Sequence, residues 1–274
     1  ESRSAPGAPF TTSTLQQAAS NAFKYNPKTT MSLAQKLYED GFITYMRTDS
    51  PNLSEEFVEE AREYCRANNL PLVEKPRQWK SKAGAQEAHE AIRPTHIEVE
   101  EAGQTEQEKA LYQLIRLRTL AAMLADAVYS VRTVQLEAEL DGRKVLFEAK
   151  GKTLVSPGWK VLMEDDPTDD PDKPKEPDNP VPALKPGSKA TAMSGAVKTK
   201  KTSPPARFTE AKLVQELEKR GIGRPSTYAA ILDNIINTRR YLTLEKRFLV
   251  PTPLGEKVVA CLCGSFSFLD YEFT

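Results

Sequence analysis

"TTMSLAQKLYEDGFITYMRTDS", residues 29–50, turns from a helical pattern to an extended one within a single corner. Met31, Leu33, Ala34, Leu37 and Tyr38 gather on one side of a helix, and Gly41 stands where a helix end needs a left-handed residue. The FITYMR that follows is built of aromatic, β-branched and other extended-favouring residues and reads as a strand. On that strand Ile43, Tyr45 and Arg47 share one face, and Phe42, Thr44 and Met46 the other. A tyrosine and an arginine therefore leave the corner side by side.

The surrounding chain reads as more helix. Upstream, TSTLQQAASNAF (12–23) places Leu15, Ala18, Ala19 and Phe23 on one face, with Ser13 or Thr14 available as N-cap. Downstream, Ser54 opens a helix that is acidic in its first turn, and another spans Glu106 to Ala125. At Tyr129 the period becomes two, and YSVRTVQLEAEL–DG–RKVLFEAKG predicts a hairpin through Asp141-Gly142. From about 164 to 205 the chain is rich in Pro, Asp, Lys, Gly and Ser and reads as a flexible connection, with SKATAMSGAVK able to hold one more strand.

After Pro205 come a helix at Thr209–Arg220, the turn GIGRP, a second helix starting at Ser226 or Thr227, the hairpin RYLTLEKRFLVP and a last helix. That is the order of a winged helix-turn-helix. The 29–50 stretch and STYAAILDNIINTRRYLT resemble each other, both passing from a Thr-started helix into an aromatic–aliphatic–Thr strand. After that threonine the first copy has Tyr45 and the second Leu244. The expected class is α+β and multidomain: mostly helical domains with helix-turn-helix-like units, and a β-rich segment. The expected boundaries are 1–130, 131–200 (with an acidic loop at about 163–182) and 201–274.

Lys plus Arg equals Asp plus Glu, 38 against 38, yet the balance is uneven. Glu164, Asp165, Asp166, Asp169, Asp170, Asp172, Glu176 and Asp178 face only Lys173 and Lys175 in their segment. The remainder is thus net basic by about six charges. Cys65, Cys261 and Cys263 form no disulfide framework, and one Cys-x-Cys is not a zinc site. An odd thiol count fits a reducing compartment, and no run reaches transmembrane length or has a signal-peptide pattern, so a cytoplasmic protein is expected. No acidic cluster sits in a strand–loop context that would hold magnesium.

Three groups could carry chemistry. A phenol with pKa near 10 is a poor nucleophile unless a cation favours phenolate. Arg47 can do that and can also grip a phosphate oxygen; the plainer reading of Tyr45 is a half-buried packing tyrosine. In QEAHEAIRPT (86–95), His89 and Arg93 would face one way on a helix ended by Pro94, as proton carrier and second phosphate clamp, or simply as an ion pair with Glu87 or Glu90. In ARFTEAKLVQELEKRGIGRPSTY (206–228), Arg207, Thr209, Arg224, Ser226 and Thr227 lie at helix termini, where free amides bind phosphate or are merely capped.

Taken together, PGAPFTTSTLQQAAS, GFITYMRTDS, QEAHEAIRPT and PPARFTEAKLVQELEKRGIGRPSTYAAI resemble the bacterial type IA DNA topoisomerases, from about Pro6 to Thr274 and more weakly across 160–200. Met46 and HEAIRP favour the topoisomerase I branch over topoisomerase III. The resemblance implies that Tyr45 attacks single-stranded DNA and becomes joined to a 5′-phosphate. It further implies that another strand passes the gap, and that resealing relaxes negative supercoils without ATP. It implies Arg47 at the scissile phosphate and His89 lining the DNA-binding active site. Arg93, Arg207, Thr209, Arg224, Ser226 and Thr227 become DNA contacts. By the same resemblance 1–130 is a lifting domain, the β region part of an arch and 201–274 part of a base. The family's Toprim domain and its magnesium site have no counterpart here, so the chain reads as a fragment inactive without that partner domain. Mg2+ is then expected in the complete enzyme and no cofactor in this chain; the partners are single-stranded and negatively supercoiled DNA at the nucleoid, with no membrane. The oligomeric state is left open. The alternative is a non-enzymatic winged-helix regulator of duplex DNA, which gives Tyr45 no role. A tyrosine recombinase fits less well, because its tyrosine lies near the C-terminus behind a His-x-x-Arg.

Overall fold

The computed structural model describes residues 1–80, 89–169, 181–202, 204–270 and 273. The chain opens with β1 (Ser2–Ser4), then α1 (Thr12–Phe23), α2 (Pro27–Glu39), α3 (Glu55–Ala67) and α4 (Glu106–Met123). Each helix starts on a side-chain cap. Asn26 accepts from Thr29 N–H ahead of Pro27, Ser54 accepts from Phe57 N–H, and Thr105 and Glu108 form a reciprocal box. At α1 the cap is Thr11, boxed with Thr14, rather than Ser13 or Thr14.

α4 is the helix around which the others pack. Its first half, with Leu111, Tyr112 and Ile115, joins Leu15, Ala18 and Ala19 of α1, Leu33, Ala34 and Leu37 of α2, and Phe10, Ile43, Met46 and Ile92. Its last turns, with Leu120 to Met123, join Leu124, Phe57, Ala61 and Cys65 of α3, Ile97 and Trp159. α4 ends at Met123, short of Ala125, because the chain turns extended at Leu124 and the Ala125 amide donates to the Pro71 carbonyl at 2.7 Å.

β2 (Ala127–Leu140) and β3 (Arg143–Ser156) form the expected hairpin, and β1 pairs with the start of β2. Asp141 and Gly142 both have positive φ, 51° and 74°, as a two-residue turn of matching twist demands. The ribbon projects from the body: Leu140 and Phe147 are 64% and 58% exposed, and the opposite face carries the Lys144–Glu137 pair.

After the described stretch 181–202, which holds no helix or strand, come α5 (Glu210–Lys219), α6 (Tyr228–Asp233), a π-helical turn at Asn234–Thr238, β4 (Leu242–Glu245), β5 (Phe248–Pro251) and α7 (Pro253–Leu262). Helix, turn, helix, hairpin, helix is the order read from the sequence, around a small core of Val214, Tyr228 and Leu232.

Four expectations are corrected. FITYMR is no strand: it makes one bridge, Ile43 to Pro94, while the Phe42 amide closes the end of α2 on the Leu37 carbonyl and the Met46 carbonyl takes the Thr12 hydroxyl. Ile43 is buried, so it does not share the exposed side of Tyr45 and Arg47. The second concerns His89–Pro94, which is extended rather than helical. Ala91 N–H donates to Asn52, and Ile92 pairs with Phe10, leaving no backbone for a helix; residues 86–88 lie outside the described residues. SKATAMSGAVK forms no strand. Finally, the start of the acidic loop is not a solvated connection. Asp166 meets Arg118 at 2.6 Å, and Asn21 donates to the carbonyls of Pro167 and Asp169, fastening 166–169 onto α1 and α4. The approach is close enough that a Cβ at Gly7 would lie 2.1 Å from an Arg118 nitrogen. Residues 170–180 lie outside the described residues.

Candidate active site

Tyr45 lies on a segment held from both sides. Ahead of it, the Thr44 amide donates to the Arg93 carbonyl at 2.9 Å, and the Thr44 hydroxyl donates to the Ala91 carbonyl at 2.8 Å. Behind it, the Thr12 hydroxyl donates to the Met46 carbonyl at 2.7 Å and accepts from the Thr48 amide at 2.9 Å. Met46 and Thr48 point inward, 1% and 2% exposed, and alternation turns Tyr45 and Arg47 outward. Tyr45 is 42% exposed and meets Tyr38, on the last turn of α2, edge-to-face at 5.4 Å between ring centroids. Among the described residues, neither the Tyr45 hydroxyl nor the Arg47 guanidinium has a hydrogen-bond or ion-pair partner. The arrangement offers a nucleophile-type oxygen and a free cationic fork on one side of a pinned backbone.

The other expected site residues divide. His89 is half-buried on the extended stretch whose Ala91 and Arg93 carbonyls hold Thr44, and it has no bonding partner among the described residues. Arg93 is committed to the fold. Its guanidinium lies 4.0 Å over the Phe57 ring, Nε donates to Glu90 at 2.6 Å, and Nη1 donates to the Pro94 carbonyl. Burial opposes charge on Glu90, but Arg93 and Ser54 outweigh it and hold the carboxyl below its ordinary range. The ion-pair reading of Arg93 is thus the observed arrangement.

α5 packs along α1 in the opposite direction. Ser13, at the start of α1, donates to Glu218, near the end of α5, at 2.6 Å, and Lys28 of α2 pairs with Asp233 of α6. Burial, with Glu218 and Asp49 nearby, raises the Tyr228 phenol pKa against the opposing pull of Arg224. The turn carrying Arg224, Ser226 and Thr227 follows the end of α5 that the Ser13–Glu218 bond sets beside the start of α1. Within that turn, the Arg224 guanidinium donates to the carbonyls of Gly221 and Gly223. The Thr227 hydroxyl folds back on the Arg224 backbone, accepting its N–H at 2.8 Å. Thr227 makes no side-chain cap to α6, and Ser226 stays exposed.

Arg207 and Thr209 are at the other end of α5, about 15 Å away for a helix of ten residues. Thr209 caps α5 through the Lys212 amide. It also lines a polar cleft of about 610 Å³ with Lys24, Asn26, Lys246, Arg247 and Leu244. The cleft does not include Tyr45: it lies at the end of α1 opposite the Thr12 bonds that hold the tyrosine segment. Leu244, the counterpart of Tyr45 in the second unit, faces this cleft.

Sequence reading missed Thr12, Thr44, Tyr38 and Asp49. None had a local signal, because each joins the site through tertiary contacts. Nor did the sequence single out Glu60, His96 and Glu98, whose ligand atoms lie within 4.8 Å of one another. Their imidazole and exposure do not suit Mg2+, which asks for an oxygen octahedron. No other such group occurs among the described residues, so the described residues do not fit a magnesium site.

A family model described as DNA topoisomerase matches residues 1–274. The chain is similar to the plasmid DNA topoisomerase I of Xylella fastidiosa, 51% identical over 277 residues, covering all of this chain and 42% of that protein. It is 43% identical to DNA topoisomerase 1 of Escherichia coli over 277 residues, 99% of this chain and 31% of that one. Among solved structures, full-length topoisomerase I of Thermotoga maritima superposes with a TM-score of 0.76 at 31% identity, covering all of this chain and 45% of that one. The chain thus spans between about a third and somewhat under half the length of these relatives.

Proposed function

The chain belongs to the bacterial DNA topoisomerase family, and from that premise we propose that Tyr45 is the nucleophile of a type IA strand-cleavage reaction. The observation that supports this most is the geometry of Tyr45 and Arg47: both exposed, on one side of a segment stapled by Thr44 and Thr12. The Tyr45 oxygen attacks the phosphorus of a single-strand phosphodiester and gives up its proton. The bond from phosphorus to the 3′-oxygen breaks, and that oxygen leaves as a hydroxyl. One phosphodiester is exchanged for another, so resealing by the 3′-hydroxyl needs no ATP. Arg47 neutralises the phosphate, and His89, on the stretch whose Ala91 and Arg93 carbonyls hold Thr44, is read as lining the same site.

In this reading the body 1–130 is the tyrosine-bearing lifting domain, the ribbon of β2 and β3 belongs to an arch, and α5 to α7 with their wing hold the incoming single strand. The turn of Arg224 and Ser226 follows the end of α5 that meets the start of α1, while Thr209 lines the cleft at the other end of α5, about one helix length away. A magnesium requirement and the partner region that satisfies it are part of the proposal, with the ion held outside the residues of this chain. The test uses a chimaera in which residues 1–274 replace the matching region of the Xylella relative. With single-stranded oligonucleotide and Mg2+, denaturant-quenched protein is expected to retain a 3′-end label and lose a 5′-end label. Retention of the 5′-end label instead, or of neither, contradicts the reaction.

A further inference from the structure

We propose that Thr12 is a positioning residue for the Tyr45–Arg47 segment: its buried hydroxyl fixes the backbone on both sides of Arg47 and so sets where the two exposed side chains point. This rests on the reading of Tyr45 and Arg47 as the reacting pair.

Thr12 is fully buried at the first position of α1. A hydroxyl has one proton and two lone pairs. Its proton goes to the nearer carbonyl, Met46 at 2.7 Å, and it accepts the Thr48 amide at 2.9 Å. The Thr48 carbonyl, 3.1 Å from the hydroxyl, takes the Thr12 amide at 2.9 Å. α1 does not need this hydroxyl for capping, because Thr11 and Thr14 already form the box. Thr12 is therefore directed wholly at residues 46–48. Those groups have no access to water as a substitute, with Met46 and Thr48 1% and 2% exposed. Thr44 supplies the matching anchor ahead of Tyr45. Valine would fill the same space yet leave the Met46 carbonyl and the Thr48 amide unpaired in a dry site. The segment would then shift, and a displacement on the order of 1 Å can cost about a hundredfold in rate.

The chimaera is compared as wild type, Thr12→Val and Thr12→Ser. Affinity for a single-stranded oligonucleotide is measured by titration and the single-turnover rate of adduct formation by quench. The valine variant should bind within about threefold of wild type but form adduct on the order of a hundredfold more slowly, and serine should restore most of the rate. Valine cleaving at the wild-type rate, or serine failing as badly as valine, overturns the proposal. If the wild-type chimaera forms no adduct, the reading of Tyr45 fails, and amide exchange in the same protein decides the clamp. Thr12→Val should speed exchange at Thr48 by about tenfold or more while leaving the Leu15 amide of α1 unchanged. Unchanged exchange at Thr48 overturns it.

Discussion

Tyr45 presents 42% of its surface to solvent and touches Tyr38 edge-to-face. An aromatic pair of this kind contributes about 0.5–1.5 kcal/mol beyond burial. Tyr38→Ala should therefore slow adduct formation by about two- to tenfold, and Tyr38→Phe should not, because the ring remains; equal rates for all three proteins would show the contact to be incidental. Tyr45→Phe is expected to abolish the adduct and leave oligonucleotide affinity within about twofold, since it removes a reacting oxygen rather than a binding group. A surviving adduct would take Tyr45 out of the role. Both partners of the Tyr45–Arg47 pair could be read from the sequence, because their spacing of two survives even without a strand. Arg93 could be read only in part. Its pairing with Glu90 was one of the two readings offered, but its four-residue distance from His89 looked like a helix face, and nothing in the sequence shows Phe57 under its guanidinium.

At the scale of elements, the helices were legible because their apolar period is local, as is the cap at Ser54; α2 nonetheless starts at Pro27 on the Asn26 cap, ahead of the threonine-started helix read from the sequence. Two of the failures, at 42–47 and 89–94, share a cause. Their backbone partners lie far along the chain, Thr12 being 34 residues from Met46 and Thr44 47 from Ala91, so local propensity carried no trace of them. The acidic stretch failed similarly, since composition predicted a solvated loop and Arg118 holds its first part down. Burial works against the charge on Asp166, but Arg118 and Thr168 outweigh it and keep the carboxyl below its ordinary value of 3.8. A depressed carboxyl contributes stability that is full above the unfolded value of about 3.9 and is lost as pH falls through the folded one. Asp166→Asn should cost about 3–5 kcal/mol at neutral pH by leaving Arg118 buried and unpaired. The variant should also lose less stability than wild type between pH 5 and the acid transition, a range of about two units. Parallel acid profiles in denaturant titrations would contradict this.

Across the whole molecule, antiparallel packing of α1 and α5 sets the Thr12 bonds that hold the tyrosine segment and the cationic cleft at opposite ends of one helix pair. A single strand that spans both would cover about 15 Å of protein surface, on the helix rise of ten residues. Binding of single-stranded DNA should therefore depend on the cleft as well as on Arg47. Lys24→Glu with Lys246→Glu is expected to weaken binding and to lower the dependence of log affinity on log salt by about one to two. An unchanged slope would remove the cleft from the path. Residues 1–274 alone should bind the strand without relaxing supercoiled plasmid, because among the described residues the grouped ligand atoms do not suit magnesium; magnesium-dependent relaxation by the purified chain would contradict that.

The central claim concerns one oxygen on one side chain. It is tested most directly by trapping the chimaera on a single-stranded oligonucleotide, digesting it and identifying the peptide that carries nucleotide. The account predicts a 5′-phosphoryl nucleotide on Tyr45 alone. Nucleotide on Tyr38, on any other residue, or on none while the DNA is still cleaved would contradict it.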